Sequence, residues 1–203
     1  MRRIVVLAAA LIAPVHAASA AEAEVAAAHH PAAIAVDSEV GFHHGGYGVA
    51  VGLDAERESF GLAANVDTLR LEEEAGEHTP WQESVVIASL LPSFEVAGGP
   101  AGHVRVAAGL DGIFAQGHAW VGPALALQID AGLFGPVDAE LMAELTPVPF
   151  TRVDAQAGLA LHLATLDLRG GWRHLELHDN GLVDDEDHDD VLDGPYVGVG
   201  MHF

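Results

Sequence analysis

From residue 32 to its last position the chain alternates apolar and polar residues with a period of two. That period puts successive side chains on opposite faces of extended strands. The last ten residues show it best. Pro195, Val197, Val199, Met201 and Phe203 share one face, and Tyr196, Gly198, Gly200 and His202 share the other. A continuous apolar face opposite a small, polar one suits a strand with hydrocarbon on one side and a crowded polar interior on the other. Upstream, Ile34, Val36, Ser38, Val40 and Phe42 oppose Ala35, Asp37, Glu39, Gly41 and His43. Tyr47, Val49, Val51 and Leu53 oppose Gly48, Ala50, Gly52 and Asp54; Phe60, Leu62, Ala64 and Val66 oppose Gly61, Ala63, Asn65 and Asp67. Residues 81–96 are less regular: Val85 and Val86, then Leu90 and Leu91, sit side by side, and Pro92 follows. A β-bulge is expected there. Five more alternating stretches fall at 103–114, 120–133, 137–145, 151–163 and 166–178. Residues 137–145 are rich in helix formers, but their unbroken alternation, and that of their neighbours, argues for a strand.

With the terminal stretch this makes ten strands, and the expected fold is all-β: a single antiparallel up-and-down β-barrel that crosses a membrane. Eight or twelve strands are the alternatives. An even count brings both ends of the chain to one side. The connections alternate accordingly. Those at 44–46, 73–80, 115–119, 146–151 and 179–194 fall on the outer side and include the two longest, whereas 56–58, 97–102, 133–136 and 164–165 form the inner turns.

The N-terminus reads as a secretory signal. Arg2 and Arg3 precede an apolar run over 4–15, and Ala18-Ser19-Ala20 offers a small-residue cleavage site. Residues 1–20 are therefore expected to be removed and 21–31 to form a flexible leader, leaving 32–203 as the barrel. No later stretch reads as a spanning helix: the longest uncharged run, 112–129, is interrupted by Gly117, Gly122 and Pro123. The expected destination is the bacterial outer membrane, reached through the periplasm, with its lipid and the barrel-assembly machinery as partners, the latter engaged through the C-terminal strand.

The twelve aromatic residues fall near strand ends. Phe42, Tyr47, Trp81, Phe114, Trp120, Phe150 and Tyr196 map to the outer rim, with Trp172 slightly deeper, and Phe60, Phe94, Phe134 and Phe203 map to the periplasmic rim. Two aromatic girdles are what a membrane barrel carries at its interfaces, whereas a soluble sandwich buries its few aromatics mid-strand.

Charge narrows the partners. The chain has no cysteine, which excludes disulfides and thiolate metal sites, and no lysine; thirty acidic residues face eight Arg, for a net charge of −22. Such a balance excludes a general affinity for nucleic acid and permits attraction of small cations.

Gly171-Trp172-Arg173-His174-Leu175-Glu176-Leu177, the stretch Asp189 to Leu192, and Asp193-Gly194-Pro195-Tyr196-Val197-Gly198-Val199-Gly200 with the closing Phe203 resemble the C-terminal signature of the YfaZ family of outer-membrane proteins. Upstream the resemblance is one of pattern only, and this chain is richer in Ala and poorer in aromatics. It implies a small outer-membrane barrel and carries no catalytic residues with it.

Three kinds of chemistry are open. The inward faces collect Asp37, Glu39, Asp54, Asn65, Asp67, Arg105, Asp111, Asp130, Asp138, Glu140, Glu144, Asp154, Asp167, Arg169 and Arg173. Arg–carboxylate pairs would crosslink and close a narrow lumen, while surplus carboxylates would line a porin-like, cation-preferring passage. A structural barrel with a filled polar core is the plainer outcome. Second, the 184–190 loop, with Asp185, Asp187, His188 and Asp189, could hold a divalent cation, although Asp190 stands where a calcium loop needs Gly. No other cofactor is expected. Third, an enzyme would need a rim Ser with a base in reach, and Ser38, Ser59, Ser84, Ser89 and Ser93 sit in no recognisable motif; a non-enzyme is expected.

Overall fold

The computed structural model describes residues 33–44, 46–72, 82–99, 101–115, 117–182 and 189–203. The expected signal and leader, Trp81, and Asp185, Asp187 and His188 of the acidic loop lie outside the described residues.

Ten strands form: β1 (Ala33–His43), β2 (Gly46–Arg57), β3 (Phe60–Glu72), β4 (Gln82–Gly99), β5 (Gly102–Ala115), β6 (His118–Phe134), β7 (Val137–Thr146), β8 (Thr151–Leu163), β9 (Leu166–His178) and β10 (Asp189–His202). Each pairs antiparallel with its sequence neighbours, and β1 pairs with β10 from Ala35↔His202 to Gly41↔Tyr196, closing the barrel. Closure matters energetically, because an open sheet edge in lipid would leave backbone groups without partners. The helix formers of β7 are held extended by ladders to β6 and β8 on both sides.

The outer surface decides between membrane and water. Val121, Leu125, Leu159 and Val199 are 58%, 56%, 52% and 42% exposed, where a two-layer soluble core would have buried them. Each such side chain gains about 1.5–3 kcal/mol on leaving water. A belt of them around the whole barrel is stable only against acyl chains. Among the described residues no helix is long and apolar enough to cross a membrane, and the strands do the crossing.

Two local expectations change. The β4 bulge lies between Glu95 and Ala97, not near Val85 or Leu90. Val85 and Ile87 point inward into an apolar cluster while Val86 and Leu90 point outward, so adjacent apolar residues need no bulge there. The terminal strand also begins earlier, at Asp189. Its first residues pair with β9, Asp189↔His178 through Asp193↔His174, and this turns Leu192 inward, where it is 1% exposed.

Candidate functional site

The barrel interior is organised in three levels. At the outer end, inward residues of β3, β4, β5, β9 and β10 form an apolar plug: Leu69, Leu71, Val85, Ile87, Ile113, Ala115, Leu175, Leu177 and Leu192, topped by Phe150, with Trp120 and Leu182 packed against it. The loops above are tied together, since Asn180 Nδ2 donates to Pro149 O (2.9 Å). Nothing in the period-two pattern separates these inward leucines from lipid-facing ones by residue type; only their parity with Asp67 and Arg173 marks them. The all-polar interior expected from sequence is corrected here.

Beneath the plug lies a buried charge layer. Arg152 Nη1 donates to Asp111 Oδ2 (3.0 Å) and Glu144 Oε1 (2.8 Å), and Nη2 donates to Asp154 Oδ2 (2.7 Å). Arg173 holds Asp154 through Nε (3.0 Å to Oδ1) and Nη2 (2.6 Å to Oδ2), and its Nη2 also lies 2.7 Å from Asp67 Oδ2. Thr146 Oγ1 donates to Asp111 Oδ2 (2.8 Å). Bidentate, charge-assisted pairs of this kind rigidify a crossing between strands. Arg152, outside the expected lining set, shares the inward face of β8 with Asp154 and Gln156, so parity alone places it there.

The third level is a cavity of about 170 Å³. Asp37, Glu39, Asp54, Asp67, Arg105, Asp130, Glu140, Glu144, Asp154, Arg169 and Arg173 line it, joined by Glu56, Asn65, Ser89, Ser93, Gln128 and Tyr196. Of the remaining expected lining residues, Asp111 is enclosed in the charge layer above, and Asp138 sits at the periplasmic rim. Arg105 Nη1 pairs with Glu56 (3.2 Å), its Nε donates to Ser93 Oγ (3.4 Å), and Arg169 Nε lies 3.4 Å from Glu140. Toward the chain termini the interior opens. There Asp167 bridges His162 Nδ1 (2.6 Å) and His202 Nδ1 (3.1 Å), His162 Nε2 meets Asp138 (3.2 Å), and His103 Nε2 meets Asp130 (2.8 Å). These histidine side chains are 36–42% exposed, against 0–8% for the plug. The termini and short turns of such barrels face the periplasm. The interior is therefore wet on that side and dry on the other.

The girdle needs correction at three positions. Tyr196 is 3% exposed and points inward, because it shares a face with Gly198 and Gly200. Phe150, 3% exposed, fills the plug from the 147–150 loop, and Trp120 turns inward with Gly122 and Ala124, stacking on His118 at 5.4 Å. Being near a strand end does not place a ring in lipid unless its parity is also outward. Phe42, Tyr47, Phe114 and Trp172 face outward near the outer end, and Phe60, Phe94, Phe134 and Phe203 near the periplasmic end. Phe60 and Phe94 meet edge to face at 5.2 Å across β3 and β4.

Beyond Trp172, the outer face of β9 and β10 becomes polar. Trp172 Nε1 donates to Asp193 (2.7 Å), His174 Nε2 meets Glu176 (3.2 Å), and Asp189 is paired with His178 Nδ1. Asp189 of the suggested cation loop is thus engaged with a neighbouring strand. Among the described residues no three His, Asp or Glu side chains converge as a metal site.

A closed antiparallel barrel with an apolar outer belt, aromatic residues at both rims, a charged interior and both termini at one end defines a β-barrel protein of the bacterial outer membrane. No family model and no curated protein matches the chain. Its fold is similar to that of a major outer membrane protein from Thermus thermophilus, at 13% identity, covering 86% of this chain and 100% of that one with a TM-score of 0.41. It is also similar to Neisserial surface protein A (9% identity, 85% and 97% covered, TM-score 0.41) and to the N-terminal β-barrel domain of Pseudomonas aeruginosa OprF (10%, 84% and 97%, 0.38).

Proposed function

We propose that this outer-membrane barrel is closed to through-flow in its resting form and presents an acidic half-channel to the periplasm. The observation carrying this reading is the vertical order of the interior: an apolar plug at the outer end, paired charges beneath it, and a carboxylate-rich cavity opening toward the termini. A dry constriction of leucines blocks ions by refusing them water. Small cations enter the half-channel in preference to anions, and cation passage follows only when the plug is displaced. The C-terminal likeness to the YfaZ barrels, and delivery by the assembly machinery through β10, belong to the same proposal.

Planar-bilayer recording tests it. The wild-type protein is expected to give no steady conductance, and the combined variant Leu69→Ser, Leu175→Ser and Leu192→Ser to give cation-selective events. Steady wild-type channels, or anion-selective events from the variant, would overturn the reading.

A further inference from the structure

The plug has one side that is not apolar. Its buried strand residues come from β3, β4, β5, β9 and β10. At that height the inward positions of β1 and β2 are Gly41, His43, Gly46 and Gly48. The His43 ring folds into the notch that the glycines leave. A side-chain carbon on Gly41 would run into that ring. One on Gly48 would lie 2.9 Å from Leu69 Cδ2, 3.4 Å from Asp67 Oδ1 and 3.8 Å from His43 Nε2. An imidazole, a carboxylate oxygen and a plug leucine thus meet over one glycine.

Histidine is a costly residue for this notch. Both ring nitrogens of His43 are shut off from solvent, and neither has a hydrogen-bond partner among the described residues. The same holds for Asp67 Oδ1. A leucine would fill the space without stranding polar atoms. The two stranded groups become complementary on one condition. A protonated imidazole carries two N–H donors, and Asp67 Oδ1 is an unused acceptor.

Charged groups act on His43 from several strands. Asp67 on β3 and Asp154 on β8 attract a charged ring, as does Asp193 on the outward face of β10, whereas Arg173 on β9 repels it. On β1 itself the nearest inward acid is Glu39, below Gly41, and β2 presents only glycine at this height. Arg173 is already engaged with Asp154 and with Asp67 Oδ2. A neutral ring can stay in the dry notch. A charged one cannot remain there unpaired, so it turns to Asp67 or draws water in.

We propose that His43 is a proton-operated latch on the plug: protonation takes the ring out of its glycine notch toward Asp67, water enters past Leu69, and the closed barrel opens to cations. This rests on the reading of the plug as the closure of the barrel.

The test is bilayer recording of the full chain with the outer-side buffer stepped from about pH 7.5 to about pH 5, the range over which histidine changes charge. The wild type is expected to be silent at the neutral step and to give reversible, cation-selective events at the acid step. His43→Phe and His43→Gln, which take no proton, should show no acid response. His44→Gln, at the exposed neighbouring position, should open as the wild type does. A second readout is acrylamide quenching of Trp120, which packs against the plug, in a chain carrying Trp81→Phe and Trp172→Phe. Quenching should rise at the acid step and should not rise when His43→Phe is added. Heat-modifiable gel migration checks that each variant is folded. A wild type that stays silent and unquenched in acid, or acid opening retained in a folded His43 variant, would overturn the latch alone. Steady wild-type conductance at the neutral step would instead sink the closed barrel on which the latch depends.

Discussion

Replacing Arg152 with methionine keeps a side chain of similar length and removes three charge-assisted hydrogen bonds, to Asp111, Glu144 and Asp154. Bonds to charged groups are worth about 1.5–3 kcal/mol each, which sets a ceiling of about 5–9 kcal/mol. Two features lower it. Arg173 still holds Asp154 through two bonds, and Thr146 still donates to Asp111. What is left is the cost of stranding Asp111, which is fully buried, and Glu144, at 4% exposure, without a cation. Breaking one side of such a buried network costs roughly 3–5 kcal/mol, and that is the expected loss for Arg152→Met. Urea unfolding of vesicle-inserted protein, followed by tryptophan fluorescence, measures it, with Trp120 reporting from the adjoining plug. The triple variant Arg152→Met, Asp111→Asn, Glu144→Gln should recover part of the loss, because the stranded charges are gone too. A change below about 1 kcal/mol for the single variant would show that the layer contributes little net stability. No recovery in the triple variant would show that packing, not charge, carried the effect.

Other outcomes follow from the same geometry. Leu175→Ala, at a fully buried plug position, should cost about 2–5 kcal/mol in the urea assay through the cavity it leaves. Leu125→Arg, outward and mid-strand on β6, should cost about 2–4 kcal/mol in vesicles, as cations do near the bilayer midplane. Gly158→Val should lose heat-modifiable migration, because its side chain would enter the space held by the Tyr196 hydroxyl and the Gly170 carbonyl.

The lipid-facing half of this fold was open to sequence reading because every outward position answers to one requirement, contact with acyl chains. That is why Val197, Val199 and Met201 sufficed to orient β10, and why ten strands could be counted in advance. The inward half answers to several requirements that change along the axis. On one face of β3 the chain runs from Asn65 and Asp67 into Leu69 and Leu71, from wet lumen to dry plug, with no break in period. The same passage occurs on β9 from Arg169 and Arg173 to Leu175 and Leu177. Composition at those positions reads equally as lipid contact. Tyr196 and Trp120 escape a reading by height for the converse reason: both stand at rim level, and parity turns them inward. The lining acids were recoverable from parity, but their pairing was not, since Arg152 and Asp111 are brought together only by the curvature of the closed sheet.

The plug has a bearing on assembly. Its apolar side chains come from two arcs of the wall, β3–β5 on one side and β9–β10 on the other, so the contact spans the diameter. A nascent sheet that has laid down β3 to β5 holds Leu69 and Ile113 wetted on its concave side until Leu175 and Leu192 arrive. The β9–β10 hairpin thus carries both the seam with β1 and the far half of the stopper. Docking that hairpin works as a ratchet: going backward means tearing a hydrogen-bonded edge and rewetting a greasy knot at once, and the finished cylinder is left with no easy way to unzip.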